Sequence, residues 1–140
     1  MAGKILLEVV TPEKMLLSQD VDMVIAPGSE GEFGVLPGHC HFLSTLRIGE
    51  LRYQTGEIWH YMSVLWGFAE VTPTKVTVMA EVAEKAEDID IGRAHQAVEV
   101  AEQRLHAGGL PSEVKDAQIS LEKARLREKI ADRARKTGRA

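Results

Sequence analysis

Three groups of residues in this chain have types and spacings that could do chemistry. His39-Cys40-His41 offers two imidazoles and a thiol, ligands that borderline and soft metals take. In an extended strand the two histidines share one face and Cys40 points the other way. No second cluster supplies further ligands, so the triplet reads as structural, with no metal site. The second group is the run Gly28-Ser29-Glu30-Gly31-Glu32-Phe33-Gly34-Val35-Leu36-Pro37-Gly38-His39, which has the glycine density of a phosphate cradle. It lacks the Gly-Lys-Ser/Thr ending that reaches phosphate and magnesium, and its carboxylates repel a nucleotide. The third is Ile89-Asp90-Ile91-Gly92-Arg93-Ala94. From its residues alone it is a helix start, with Asp88 or Asp90 capping exposed N–H groups, Arg93 in solvent or on a carboxylate, and Ala94 packed inward. No serine sits in a Gly-x-Ser-x-Gly elbow, and no catalytic centre emerges.

Charge narrows the class. The net charge of -4 hides an uneven distribution. Residues 1–87 hold Lys4, Lys14, Arg47, Arg52, Lys75 and Lys85 against twice as many carboxylates. The terminal stretch reverses the balance: Lys123, Arg125, Arg127, Lys129, Arg133, Arg135, Lys136 and Arg139 face Glu128 and Asp132. Such a segment is a solvated helix face, or it binds something acidic. The aromatics do not interleave with it, which argues against nucleic acid. No apolar run reaches the ~20 residues of a membrane span, and the N-terminus lacks the layout of a signal peptide. Cys40 is the one cysteine, which excludes an internal disulfide and fits a reducing compartment. The expectation is a soluble intracellular protein.

The elements that must position these groups fall into two sets. Residues 4–10, 20–26, 41–46, 50–54, 58–65, 68–71 and 75–81 are apolar or alternating runs, separated by turn signals such as Thr11-Pro12, Thr55-Gly56 and Thr72-Pro73. Short strands at turn spacings of roughly 8–12 residues argue for an antiparallel sandwich or barrel. Residues 28–39 form a shaped loop in which Pro37-Gly38 suits a type II turn. From about residue 83 the composition changes. Ala94, Ala97, Val98, Ala101 and Leu105 make one helical stripe, Gly108-Gly109 ends it, and Ser112 is the expected N-cap of the next helix. Val114, Ala117, Leu121, Ala124 and Ala131 make a second stripe that Glu128 interrupts. The architecture is an all-β antiparallel sandwich (residues 1–87) followed by an antiparallel helical hairpin (residues 88–140). Alanine stripes bury little area, at ~25 cal/mol per Å², so the hairpin is a marginal element suited to switching.

The order of these motifs, from the glycine-rich run through Ile48-Gly49-Glu50-Leu51 to the I-D-I-G-R-A stretch, resembles the epsilon subunit family of the F-type rotary ATP synthase over nearly the whole chain. The resemblance implies a non-catalytic central-stalk subunit on the cytoplasmic face of a bacterial plasma membrane. It would be peripheral, bound through the gamma subunit and the membrane ring of proton-carrying subunits. Glu30, Glu32 and His39 would lie against the ring. The hairpin would fold down, or rise toward the catalytic α and β subunits. There Lys123, Arg125, Arg127 and Arg133 would meet an acidic segment at the base of the β subunits and inhibit ATP hydrolysis. The same resemblance places a nucleotide near Glu84, Asp90, Arg93, Lys123 and Arg127. Val100 stands where nucleotide-binding members have an arginine, so no cofactor is expected, with ATP a weak regulatory ligand at most. Other departures are His41, where proline is usual, and Trp66, within a usual Ser-Gly-Gly-Phe. The rival of a different class is a free-standing sandwich module with a nucleotide-sensing hairpin; an uncharacterised hydrolase is a third reading.

Overall fold

The computed structural model describes residues 3–136. Its elements in order are β1 (Ile5–Val10), β2 (Met15–Val21), β3 (Met23–Gly28), β4 (Gly31–Val35), β5 (Phe42–Leu46), β6 (Gly49–Thr55), β7 (Ile58–Val71), β8 (Lys75–Lys85), α1 (Ile91–Ala107) and α2 (Pro111–Lys136), with a 3-10 turn at Ala86–Asp88 before α1. The chain divides into two compact units, Met1–Lys85 and Ala86–Ala140.

The first unit is a β-sandwich whose strands run in the order β2-β1-β8-β7-β5-β3-β4, with β6 joining β3 and β7. Alternation creates its core. Ile5, Leu7 and Val9 of β1, Val76 and Val78 of β8, and Met62, Val64, Ala69 and Val71 of β7 enter one cluster with Val24, Ala26, Val35 and Leu51. Each fully buried Val, Leu, Ile or Met side chain among them contributes about 1.5–3 kcal/mol.

The structure refines the strand expectations in four places. Residues 20–26 are not one strand: the chain bends at Asp22, whose carboxylate accepts from Lys4 Nζ and from the Gly56 amide, both at 2.6 Å. The glycine-rich run is not all loop, because β4 lies inside it and pairs with β3 around a tight turn, Gly28 opposite Gly31. The two runs 58–65 and 68–71 are one strand, β7, which pairs with β6 along its first part and β5 along its second. Among the described residues one pairing is parallel, β1 beside β8, with Glu8 and Lys75 joined across it at 2.8 Å; every other pairing there is antiparallel.

The continuity of β7 rests on an unusual pair. Trp66 has φ 50 and Gly67 φ 139. A Cβ on Gly67 would lie 1.9 Å from the Met79 carbonyl oxygen, so only glycine lets β7 and β8 stay paired there.

The second unit is the hairpin of α1 and α2. Ala94 and Ala101 of α1, and Ala117, Ala124 and Ala131 of α2, are buried and recur every seventh residue, the spacing that keeps one stripe on the facing helix. Ile130 and Ala134 are also buried, beyond the stripe expected from periodicity. Asp90 caps α1, its Oδ1 accepting from the Arg93 amide at 3.1 Å. Gly108, at φ 75, ends the helix by donating to the Leu105 carbonyl. The start of α2 corrects the Ser112 cap. The helix begins at Pro111, whose missing N–H costs nothing at the first position, and Glu113 reaches back to accept from the Leu110 amide at 2.9 Å.

Candidate functional site

Two regions carry the side chains singled out from the sequence, one in each unit. In the sandwich they gather at the β3–β4 turn. Gly28 is required because a Cβ there would stand 2.7 Å from the Gly31 carbonyl. Gly31 takes φ 135, leaving Ser29 and Glu30 exposed at the tip. Leu36-Pro37-Gly38-His39 closes as a turn, the His39 amide donating to Leu36 O at 3.1 Å with Gly38 at φ 85, as a type II turn demands. Gly38 in turn donates to Pro73 O at 2.8 Å, which ties the run to the β7–β8 turn.

Of the three expected contact residues in this unit, Glu30 and Glu32 share one groove. It has a volume of about 840 Å³ and is lined by Phe33, Phe42, Leu43 and Phe68 together with these two carboxylates. Phe33 and Phe42 meet edge to face at 5.1 Å, and the His39 ring stands against Phe42 at 6.2 Å, outside the groove lining. Glu32 is not a loose charge. Arg52 Nη1 donates to it at 3.2 Å and to Glu50 at 3.1 Å. Glu50 is itself buried, its side chain 6% exposed. Arg52 therefore holds the β4 carboxylate of Glu32 to the buried one of Glu50, and the i, i+2 spacing of Glu50 and Arg52 on one strand face signals only the second of these contacts.

The His39-Cys40-His41 triplet builds nothing further. His39 Nδ1 lies 2.8 Å from the Cys40 carbonyl. Among the described residues no three His, Cys, Asp or Glu side chains converge as metal ligands.

In the hairpin the register follows from contacts between the helices. His95 Nδ1 is hydrogen-bonded to Glu128, and Arg125 Nη2 donates to Glu102 at 3.0 Å. The Glu128 that interrupts the apolar stripe thus has a partner on α1. Val100 is 48% exposed. It lies in a groove of about 340 Å³ with Arg93, Gln96, Arg104 and Ser120. Asp90 spends its side chain on the cap. Glu84 belongs to β8 in the first unit. Lys123, Arg127 and Arg133 are half-buried and engaged, and Arg125 is exposed but paired. Arg139, counted with the basic stretch, lies outside the described residues. Arg52, His95, Glu102 and Arg104 were not singled out from the sequence, and for the last three only the hairpin register reveals them.

Among the described residues no helix is long and apolar enough to cross a membrane. The description "ATP synthase, Delta/Epsilon chain, beta-sandwich domain" matches residues 4–86, and "ATP synthase, Delta/Epsilon chain, long alpha-helix domain" matches residues 87–132. The chain is 50% identical over 133 residues to the ATP synthase epsilon chain of Syntrophobacter fumaroxidans, covering 95% of this chain and 99% of that one. It is 52% identical over 128 residues to the epsilon chain of Nitratidesulfovibrio vulgaris, covering 91% and 96%. In three dimensions it resembles a chain of the Euglena gracilis mitochondrial ATP synthase OSCP/F1/c-ring structure, with a TM-score of 0.79 at 25% identity over 90% of this chain and 80% of that one. A chain of the Tetrahymena thermophila central stalk/c-ring structure shares the fold, with a TM-score of 0.64 at 15% identity over 93% of this chain and 98% of that one. Both domain descriptions match in order, and the relatives align over almost their full length: the chain belongs to the ATP synthase delta/epsilon family, as an epsilon chain.

Proposed function

We propose that this chain is a non-catalytic subunit of the central stalk, and that it couples the catalytic head to the membrane rotor while restraining ATP hydrolysis. The sandwich, residues 1–87, binds the gamma subunit and presents Glu30, Glu32 and His39 to the ring of proton-carrying subunits. Its membrane association is peripheral, through the complex, on the cytoplasmic face of a bacterial plasma membrane. The hairpin, residues 88–140, carries the regulation. When it opens and rises toward the catalytic α and β subunits, Lys123, Arg125, Arg127 and Arg133 reach an acidic segment at the base of the β subunits. The free-standing module is not favoured, because both family domains match in sequence order.

The observation that carries the regulatory reading is the build of the hairpin. It closes mainly on alanines, which bury little area, with Leu121 and Ile130 the larger buried side chains, and Arg125 on its surface pairs with a half-exposed Glu102. A closure of that kind can be exchanged for contacts elsewhere. The test replaces Arg125, Arg127 and Arg133 by alanine in the assembled enzyme. ATP hydrolysis should rise, and high salt should reproduce part of the rise, since exposed charges are screened beyond about 8 Å at physiological ionic strength and at shorter range as salt increases. Hydrolysis unchanged by both would remove the basic face from the mechanism.

A further inference from the structure

We propose that Glu102 is an internal competitor for Arg125: in the closed hairpin it occupies the arginine that the open hairpin presents to its acidic partner, and so sets how readily inhibition begins. This rests on the basic-face reading above. Arg125 has two carboxylates within helical reach on its own helix, Glu122 one turn before and Glu128 one turn after. Glu128 is engaged by His95 of α1. Arg125 instead crosses to α1 and donates to Glu102 at 3.0 Å.

The exposures explain why this pair acts as a competitor and not as a lock. The side chains of Arg125 and Glu102 are 59% and 51% exposed. An ion pair in that setting is weak and open to exchange. An acidic partner side chain offers the guanidinium the same geometry, so opening trades one carboxylate for another. The difference between the two pairings, and not the full strength of either, then biases the hairpin. Removing the Glu102 charge should shift the balance toward the open state by about 1.5- to 5-fold, the range of an exposed pair.

The experiment is a double-mutant cycle in the assembled enzyme with an exchange measurement on the isolated chain. Glu102→Gln should lower ATP hydrolysis by about 1.5- to 5-fold. In an Arg125→Ala background it should do nothing. In the isolated chain Glu102→Gln should speed amide hydrogen exchange of α2 by a similar factor, a readout independent of the complex. The charge swap Glu102→Arg with Arg125→Glu should restore slow exchange and still lose inhibition, because a carboxylate then faces the acidic partner. If Arg125→Ala raises hydrolysis while Glu102→Gln changes neither hydrolysis nor exchange, the competitor is wrong and the basic-face reading survives. If Arg125→Ala leaves hydrolysis unchanged, the reading fails for this residue, and the competition goes with it.

Discussion

Replacing Gly67 by alanine should cripple the sandwich, while the same change at Gly56 should be mild, and the comparison isolates close strand approach from backbone strain. Both glycines have positive φ, 139 at Gly67 and 63 at Gly56. Around Gly56 a Cβ would meet no atom within 4 Å. The cost there is the left-handed penalty of about 1–2 kcal/mol, offset by about 0.4–1 kcal/mol from a stiffer unfolded chain. At Gly67 the Cβ would stand 1.9 Å from Met79 O and 2.8 Å from Ala80 Cα, both backbone atoms of the paired strand. Carbon and oxygen settle no closer than about 3.3 Å, so β7 and β8 must spread by more than an ångström. Ladder hydrogen bonds beside the site then fail, and each buried group left unsatisfied costs about 1–3 kcal/mol. With the φ strain added, we expect about 3–5 kcal/mol, a large share of a typical domain's total stability. At roughly 4–8 °C per kcal/mol for a domain of this size, Gly67→Ala should melt at least about 12 °C lower or lose its cooperative transition. Gly56→Ala, at about 0–1.6 kcal/mol, should lose no more than about 13 °C, and less than Gly67→Ala in the same protein. Both tryptophans, Trp59 and Trp66, lie in β7, so fluorescence follows the sandwich without the helices. A Gly67→Ala protein melting no lower than Gly56→Ala would refute the argument, since the strands would then have absorbed the methyl group.

Three further outcomes are expected. Asp22 has its carboxyl held below the ordinary carboxylate range, first by the hydrogen bond from Lys4 and then by the Gly56 amide. A lowered folded value means the contribution is present above the unfolded value and lost as pH falls through the folded one, so Asp22→Asn should flatten the loss of melting temperature below about pH 4; equally steep acid limbs would count against it. Val100→Arg, placed between Arg93 and Arg104 in one groove, should tighten ATP binding about 10- to 100-fold in equilibrium dialysis, and micromolar binding by the unmodified chain would contradict the missing contact. A chain ending at residue 87 should keep a cooperative thermal transition and still join the complex, whereas an unfolded fragment would mean that the sandwich depends on the hairpin.

What the sequence determined by itself was local. Alternation in residues 4–10 and 75–81, the seven-residue recurrence of alanine and the Asp90 cap are written within a few residues of one another, so the sandwich, the hairpin and the I-D-I-G-R-A helix start were legible. So was the Pro37-Gly38 turn, because proline and glycine restrict their own dihedrals. Partners distant along the chain were not. Residues 31–35 look like loop because glycines weaken a strand signal, and only pairing with β3 makes them β4. Trp66-Gly67 looks like a break, yet β8 runs past it and keeps β7 whole. The hold of Arg52 on Glu32, the exchange of Arg125 onto Glu102 and the pairing of His95 with Glu128 each join residues more than eighteen positions apart. Dihedral preference and amphipathic period act along the chain, and one sequence displays them. Which charges meet is decided by strand register and helix packing, and these exist only once the core has closed.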